Sequence, residues 1–227
     1  MSAGGPWLAH DRSDQELQTN VTDELSYNPS IDAAHVGVSA KDGVVTLSGN
    51  VGSLPERHAA NRAAKRVSGV RTVSDDLVVR DPGTFDTSDG DIGEAANQML
   101  KWAVDVPADT IKAGVRDHVV TLSGTVAWQF QREAAARAVM YLRGVTALTN
   151  NIFLTATVPT EGLKAEIQAA MLRNAQLDSR AIAVDVAGGE VTLSGTVQSW
   201  AERRQAEYVA WSASGVTSVK NGLAITS

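Results

Sequence analysis

Cysteine is absent from the 227 residues, which excludes disulfides, thiol nucleophiles and thiolate-held metals. No apolar run approaches the ~20 residues that a membrane-spanning helix needs. Basic charge is in deficit, with 20 Lys and Arg against 26 Asp and Glu and a net charge of −6. That balance argues against binding to nucleic acid driven by bulk electrostatics. The stretch from Met1 to Asp14 carries neither a basic n-region nor an apolar h-region, so no secretion signal is expected. The location expected from the sequence as written is cytoplasmic, or periplasmic if a leader has been removed. The sequence carries no signal for oligomeric state.

Catalytic constellations are missing too. His10, His35, His58 and His118 form no H-x-x-x-H or H-E-x-x-H spacing and read as ordinary solvated side chains. Ser48, Ser123 and Ser194 sit beside glycine, but no histidine recurs with them, and a nucleophile without a base is poor evidence for acyl transfer. Phosphate loops of the Walker or dinucleotide type are lacking. No enzyme activity, cofactor or metal is expected.

What is present is a repeat. Val45-Thr46-Leu47-Ser48-Gly49 returns as Val120 to Gly124 and Val191 to Gly195. Gly69, Gly144 and Gly215, each followed by Val, come 20 residues after the motif glycines. The copies align without a gap from Leu17, Ile92 and Leu163 onward, which makes three tandem supersecondary units. The boundaries expected are an arm at 1–12, modules at 13–80, 88–154 and 160–227, and linkers at 81–87 and 155–159. Trp7 falls in the arm. The shorter second linker predicts that the second and third modules hold together, with the first the most separable.

Each module opens with a helix whose apolar residues fall four apart, such as Leu17, Val21 and Leu25. Ser13 and Glu16 have the spacing of a capping box at its start. A hairpin follows, turning on Asp42-Gly43, Asp117-His118 and Gly188-Gly189. The motif glycines Gly49, Gly124 and Gly195 interrupt the return strand, as at a bulge or a close backbone approach. A second helix runs from about Leu54 to Val67, with Ser53-x-x-Glu56 and Ser199-x-x-Glu202 as capping signals. Gly69, Gly144 and Gly215 are read as its left-handed caps. A last strand closes the unit. The fold class expected is α+β: three small α-β-β-α-β sandwiches, each with two helices on one face of a three-stranded sheet.

The run Gly43-Val44-Val45-Thr46-Leu47-Ser48-Gly49-x-Val51, then helix, Gly69-Val70 and strand, resembles the BON (bacterial OsmY and nodulation) domain. The resemblance covers nearly the whole chain and departs from the pattern at His118, where a turn glycine is expected. It implies a non-enzymatic module linked to the envelope, osmotic stress response and phospholipid binding. Members are often exported, and the family supplies no catalytic residues.

Two features stand out as candidate contacts. Arg57, His58, Arg62, Lys65 and Arg66 crowd the second helix of copy one, a basic face able to attract anionic lipid. Leu54, Trp128 with Phe130, and Trp200 put apolar bulk just before the second helix of each copy, which suits a membrane interface or a partner pocket. A solvated face for the first, and staples or contacts between sister modules for the second, are the competing readings. Trp102 and Trp211 are read as packing within or between modules. Arg57, Arg132 and Arg203 share one slot, and a structural role at the sheet end is expected for them. Anionic phospholipid is the favoured partner. Client proteins of a chaperone-like scaffold come second and a small cation such as potassium third.

Overall fold

The computed structural model describes residues 14–80, 87–155 and 162–226. Within them lie six α-helices and ten strands. Module 1 comprises α1 (Asp14–Tyr27), β1 (Val36–Lys41), β2 (Val44–Val51), α2 (Leu54–Ala64) and β3 (Thr72–Val79). Module 2 repeats this as α3 (Asp89–Trp102), β4 (Ile111–Arg116), β5 (Val119–Val126), α4 (Gln129–Met140) and β6 (Ala147–Leu154). Module 3 has α5 (Leu163–Arg173), β7 (Ile182–Ala187), β8 (Glu190–Val197), α6 (Trp200–Trp211), β9 (Ser218–Asn221) and β10 (Ala224–Ile225). Ser13 of the expected first capping box, Trp7, His10 and most of both linkers lie outside the described residues.

In every sheet the motif strand is central. β2 pairs antiparallel with β1 and parallel with β3, and β5 does the same with β4 and β6. Val36, Ile111 and Ile182 stand opposite Gly49, Gly124 and Gly195, so the hairpin register is identical in all three modules. The parallel pairing follows from the connection, since the second helix of each module carries the chain back to the same end of the sheet. Alternation puts Val45, Leu47 and Val51 on the covered face, where each is at most 3% exposed. Leu17, Val21 and Leu25 of α1 and Ala60, Ala63 and Ala64 of α2 close over them. No polar or charged residue is fully buried among the described residues.

The motif glycine is required by a close approach. Its φ is +115°, +140° and +118° in the three modules, and a Cβ there would lie 2.2 Å from His35 O, 2.1 Å from Thr110 O and 2.1 Å from Ala181 O. No larger residue fits without moving the preceding backbone.

Two local readings need correction. The α-helical part of the second helix stops at Ala64 instead of Val67. Arg66 and Val67 then bond Ala63 O and Ala64 O, three residues back, so the chain tightens through turns before Gly69, which is not a direct helix cap. The last strand of module 3 is split, because Gly222 N turns to bond Leu193 O at 2.8 Å and β10 resumes the pairing with β8.

Candidate functional site

The second helices begin alike. Ser53 Oγ accepts from Glu56 N, and Ser199 Oγ from Glu202 N. The carboxylates then reach back: Glu56 takes the amides of Gly52 and Asp32 at 2.8 and 2.7 Å, and Glu202 those of Gln198 and Asp178 at 2.7 and 3.0 Å. In module 2 a neutral amide does this work, with Gln131 Oε1 accepting from Ala127 and Trp128 at 3.1 Å each. Each helix start is therefore pinned, and the side chains around it point in fixed directions.

The shared arginine slot faces the last strand. Arg57 Nε donates to Asp75 Oδ2 at 2.9 Å. Arg132 donates to Asn150 O at 3.3 Å, and Arg203 to Asn221 O at 2.7 Å and Leu223 O at 3.1 Å. Arg66, another of the basic cluster, is tied to Glu24 at 2.7 Å. Arg62 and Arg204 pair with no carboxylate among the described residues. Burial, Arg62 and Arg57 push the His58 imidazole below its usual range, and burial with Arg203 and Arg204 lowers the Lys65 ammonium. These side chains thus form a crowded like-charge group spanning modules 1 and 3.

The apolar candidates divide. Leu54 is 4% exposed and belongs to the buried cluster of module 2, with Ala134, Val139 and Val145. Trp200 lies on module 1, its Nε1 donating to Val70 O at 3.0 Å and its ring under Lys65 Nζ at 4.8 Å. Both make the contact between sister modules that was the competing reading of this slot. Trp128 and Phe130 are 38% and 50% exposed. They line a cleft of about 890 Å³ whose other wall is Arg204, Tyr208 and Trp211 of α6. Trp102, expected to pack, is 67% exposed at the last position of α3. Among the described residues no three histidine or carboxylate side chains gather to hold a metal ion, and no helix is long and apolar enough to cross a membrane.

The repeat geometry agrees with comparison to known proteins. The family model for the BON domain matches residues 13–81, 88–156 and 159–227. The chain belongs to the BON domain family. Osmotically-inducible protein Y of Escherichia coli (strain K12) is 34% identical over 143 residues, which are 61% of this chain and 71% of that protein. Among solved structures, the C-terminal domain of CdsD, a structural protein of the type III secretion system of Chlamydia trachomatis, aligns over 96% of this chain and 100% of its own. It does so at 15% identity and a TM-score of 0.27. A second structure of CdsD covers 93% of this chain and 92% of its own at 14% identity, with a TM-score of 0.26. Scores of that size carry no fold comparison.

Sequence reasoning passed over three residues that the BON modules bring into the cleft or beside it. Arg204 and Tyr208 occupy the slots of His58 and Arg62, one helical face in each case. This helix is less basic in copy three than in copy one, so charge alone does not mark the face. The available signal was spacing, for Arg204, Tyr208 and Trp211 fall at i, i+4 and i+7. Gln129 gave no signal except that Leu54 and Trp200 hold the same slot.

Proposed function

We propose that this BON protein is a non-enzymatic, stress-related binding protein that associates with anionic phospholipid surfaces. One observation carries the reading. Arg204 lines the same cleft as the exposed Trp128 and Phe130, and it is close enough to Lys65 to depress its pKa. Aromatic rings that suit the headgroup level are therefore next to cations left without carboxylate partners, and the combination is that of an interfacial anchor. The relative's name, osmotically-inducible protein Y, supports the stress connection. The net charge of −6 makes the attraction a local one, which salt should screen.

Co-sedimentation with vesicles of anionic or neutral phospholipid, at low and high salt, tests this. Binding should require anionic headgroups and fade with salt. Each basic residue near such a surface contributes about 1 kcal/mol, so Arg62→Glu with Arg204→Glu should weaken binding by more than about thirtyfold. Trp128→Ala should weaken it at both salt concentrations. Absence of retention on anionic vesicles at low salt would end the reading. Capture of unfolded proteins without vesicles would favour the chaperone-like alternative.

A further inference from the structure

Modules 1 and 3 meet at Trp200, and the meeting gathers cations. The indole N–H is fixed on Val70 O at 3.0 Å. Lys65 Nζ of module 1 lies 4.8 Å from the centroid of that ring, and Arg203 Cζ of module 3 lies 5.0 Å from it. One ring thus holds an ammonium and a guanidinium from two modules within about 10 Å of each other. Arg204, the next residue of α6, is near enough to Lys65 to act on its charge. His58, Arg62 and Lys65 follow at i, i+4 and i+7, so they share one face of the second helix of module 1.

These charges are not balanced from within the chain. Among the described residues Arg62, Lys65, Arg203 and Arg204 form no ion pair with a carboxylate. The acids nearby are already engaged, Asp75 by Arg57 at 2.9 Å and Asn61 at 2.6 Å, and Glu207 by Asn221 at 2.9 Å. Arg203 gives two N–H groups to Asn221 O and Leu223 O, and a guanidinium has five. Arg62 and Arg204 are exposed, while Lys65 and Arg203 are half-buried. The chain has 26 acidic residues against 20 basic, yet it sets no free carboxylate beside this group. An anion from outside is what offsets the repulsion. We infer that the joint between modules 1 and 3 is a binding site for a phosphate monoester, held by Lys65 and Arg204 with Arg203 and Arg62 beside them.

Charge and shape select the group. A monoester carries close to two negative charges above its second pKa of about 6, whereas a diester carries one. Several cations drawn from two elements match the dianion better, since each adds its own attraction. A guanidinium fork also takes two phosphate oxygens at once. Burial, Arg203 and Arg204 lower the Lys65 ammonium, and a bound dianion opposes all three. The ligand touches side chains of both modules, so it binds the closed joint and not the separated modules. It therefore stabilises their contact by mass action. The monoester is carried either on a lipid, in which case the inference rests on the lipid reading and names its headgroup, or on a small molecule free in solution.

Titration of the ¹⁵N-labelled full chain with inorganic phosphate at about pH 7.5, with chloride holding the ionic strength constant, tests the inference by NMR. Saturable shifts should centre on Lys65, Arg204 and the Trp200 indole N–H, with a Kd of roughly 0.1–3 mM, and the Tm should rise with phosphate. Dimethyl phosphate, a diester, should bind at least about fivefold more weakly. Neutral vesicles doped with phosphatidic acid or with phosphatidylglycerol separate the sources. A preference for phosphatidic acid of at least about fivefold assigns the site to a lipid headgroup. Phosphate binding without that preference assigns it to a free monoester. Lys65→Met keeps the stem on the ring, removes the charge and should weaken phosphate binding at least about tenfold. Arg204→Gln, at an exposed position, is the second variant should the first not fold, with the same expectation. Dimethyl phosphate bound as tightly as phosphate, or binding unchanged in a folded Lys65→Met or Arg204→Gln chain, would overturn the inference. So would equal retention on both kinds of vesicle with no response to phosphate, a result that leaves the lipid reading standing.

Discussion

A cation in the first turn of a helix opposes the dipole at a cost of about 0.3–1 kcal/mol, yet Arg57, Arg132 and Arg203 all accept it. The guanidiniums offset it with bonds to the final strand, and these bonds are unequal. Arg203 makes two, at 2.7 and 3.1 Å, whereas Arg132 donates to Asn150 O at 3.3 Å. Arg203→Ala should therefore lower the Tm more than Arg132→Ala. At about 1 kcal/mol lost per well-formed bond, the two Arg203 bonds amount to about 2 kcal/mol, which corresponds to roughly 8–16 °C if its module melts alone. Lysine should restore part of the loss in each case, because it lacks the planar fork. Scanning calorimetry decides the order. Equal melting of wild type and both alanine variants, with vesicle binding lost, would make these arginines ligands.

At the scale of elements, the hairpin of module 2 turns on Asp117 and His118, both at positive φ, +50° and +62°. Asp89, at the start of α3, compensates by accepting their amides at 2.8 and 3.0 Å. Those bonds, His118 first, hold the Asp89 carboxyl below its ordinary range, and Ser88 does the same for Asp91 through the capping box. Both folded-state values are depressed, so their contribution is complete above the ordinary 3.8. It is lost as pH falls through the lower folded values, because the unfolded chain takes up the proton first. Melting of the full chain should thus drop as pH goes from about 5 to 3. Asp89→Asn should be less stable at neutral pH and lose less on acidification. A Tm equally acid-sensitive in that variant would remove Asp89 from the account. The elements themselves were legible in the sequence because core residues recur at period two in strands and every fourth residue in helices. Leu17, Val45 and Leu47 announce their burial in this way. The Asp89 brace was not legible, since it joins residues 28 and 29 positions apart and nothing local marks it. The exposure of Trp102 at the end of α3 was not legible for a related reason, as what covers a helix end is set by tertiary packing.

For the whole molecule, linker length pointed to the second and third modules as the coupled pair. The contacts bring module 1 in as well. Module 1 gives Leu54 to module 2 and receives Trp200 from module 3, while the joint between modules 2 and 3 holds the cleft. A short linker fixes only how far two modules can separate. What couples them is the apolar surface removed from water at the joint, about 25 cal/mol per Å². Small cores need such joints, since each module alone buries only ~60% of its unfolded surface. Truncating Leu54, which is 4% exposed, to Ala should cost about 2–5 kcal/mol, as for other buried leucines. Because the side chain lies in another module's core, the loss should appear there. Native-state hydrogen exchange of Leu54→Ala should lower protection at Val139 and Val145 of module 2, while Val45 and Leu47 of module 1 keep theirs. Trp200→Ala should instead loosen the Val67–Val70 turn of module 1, where its N–H bond ends. Loss of protection spread evenly over all three cores in either variant would mean that the chain unfolds as one unit, with these two side chains ordinary parts of a common core.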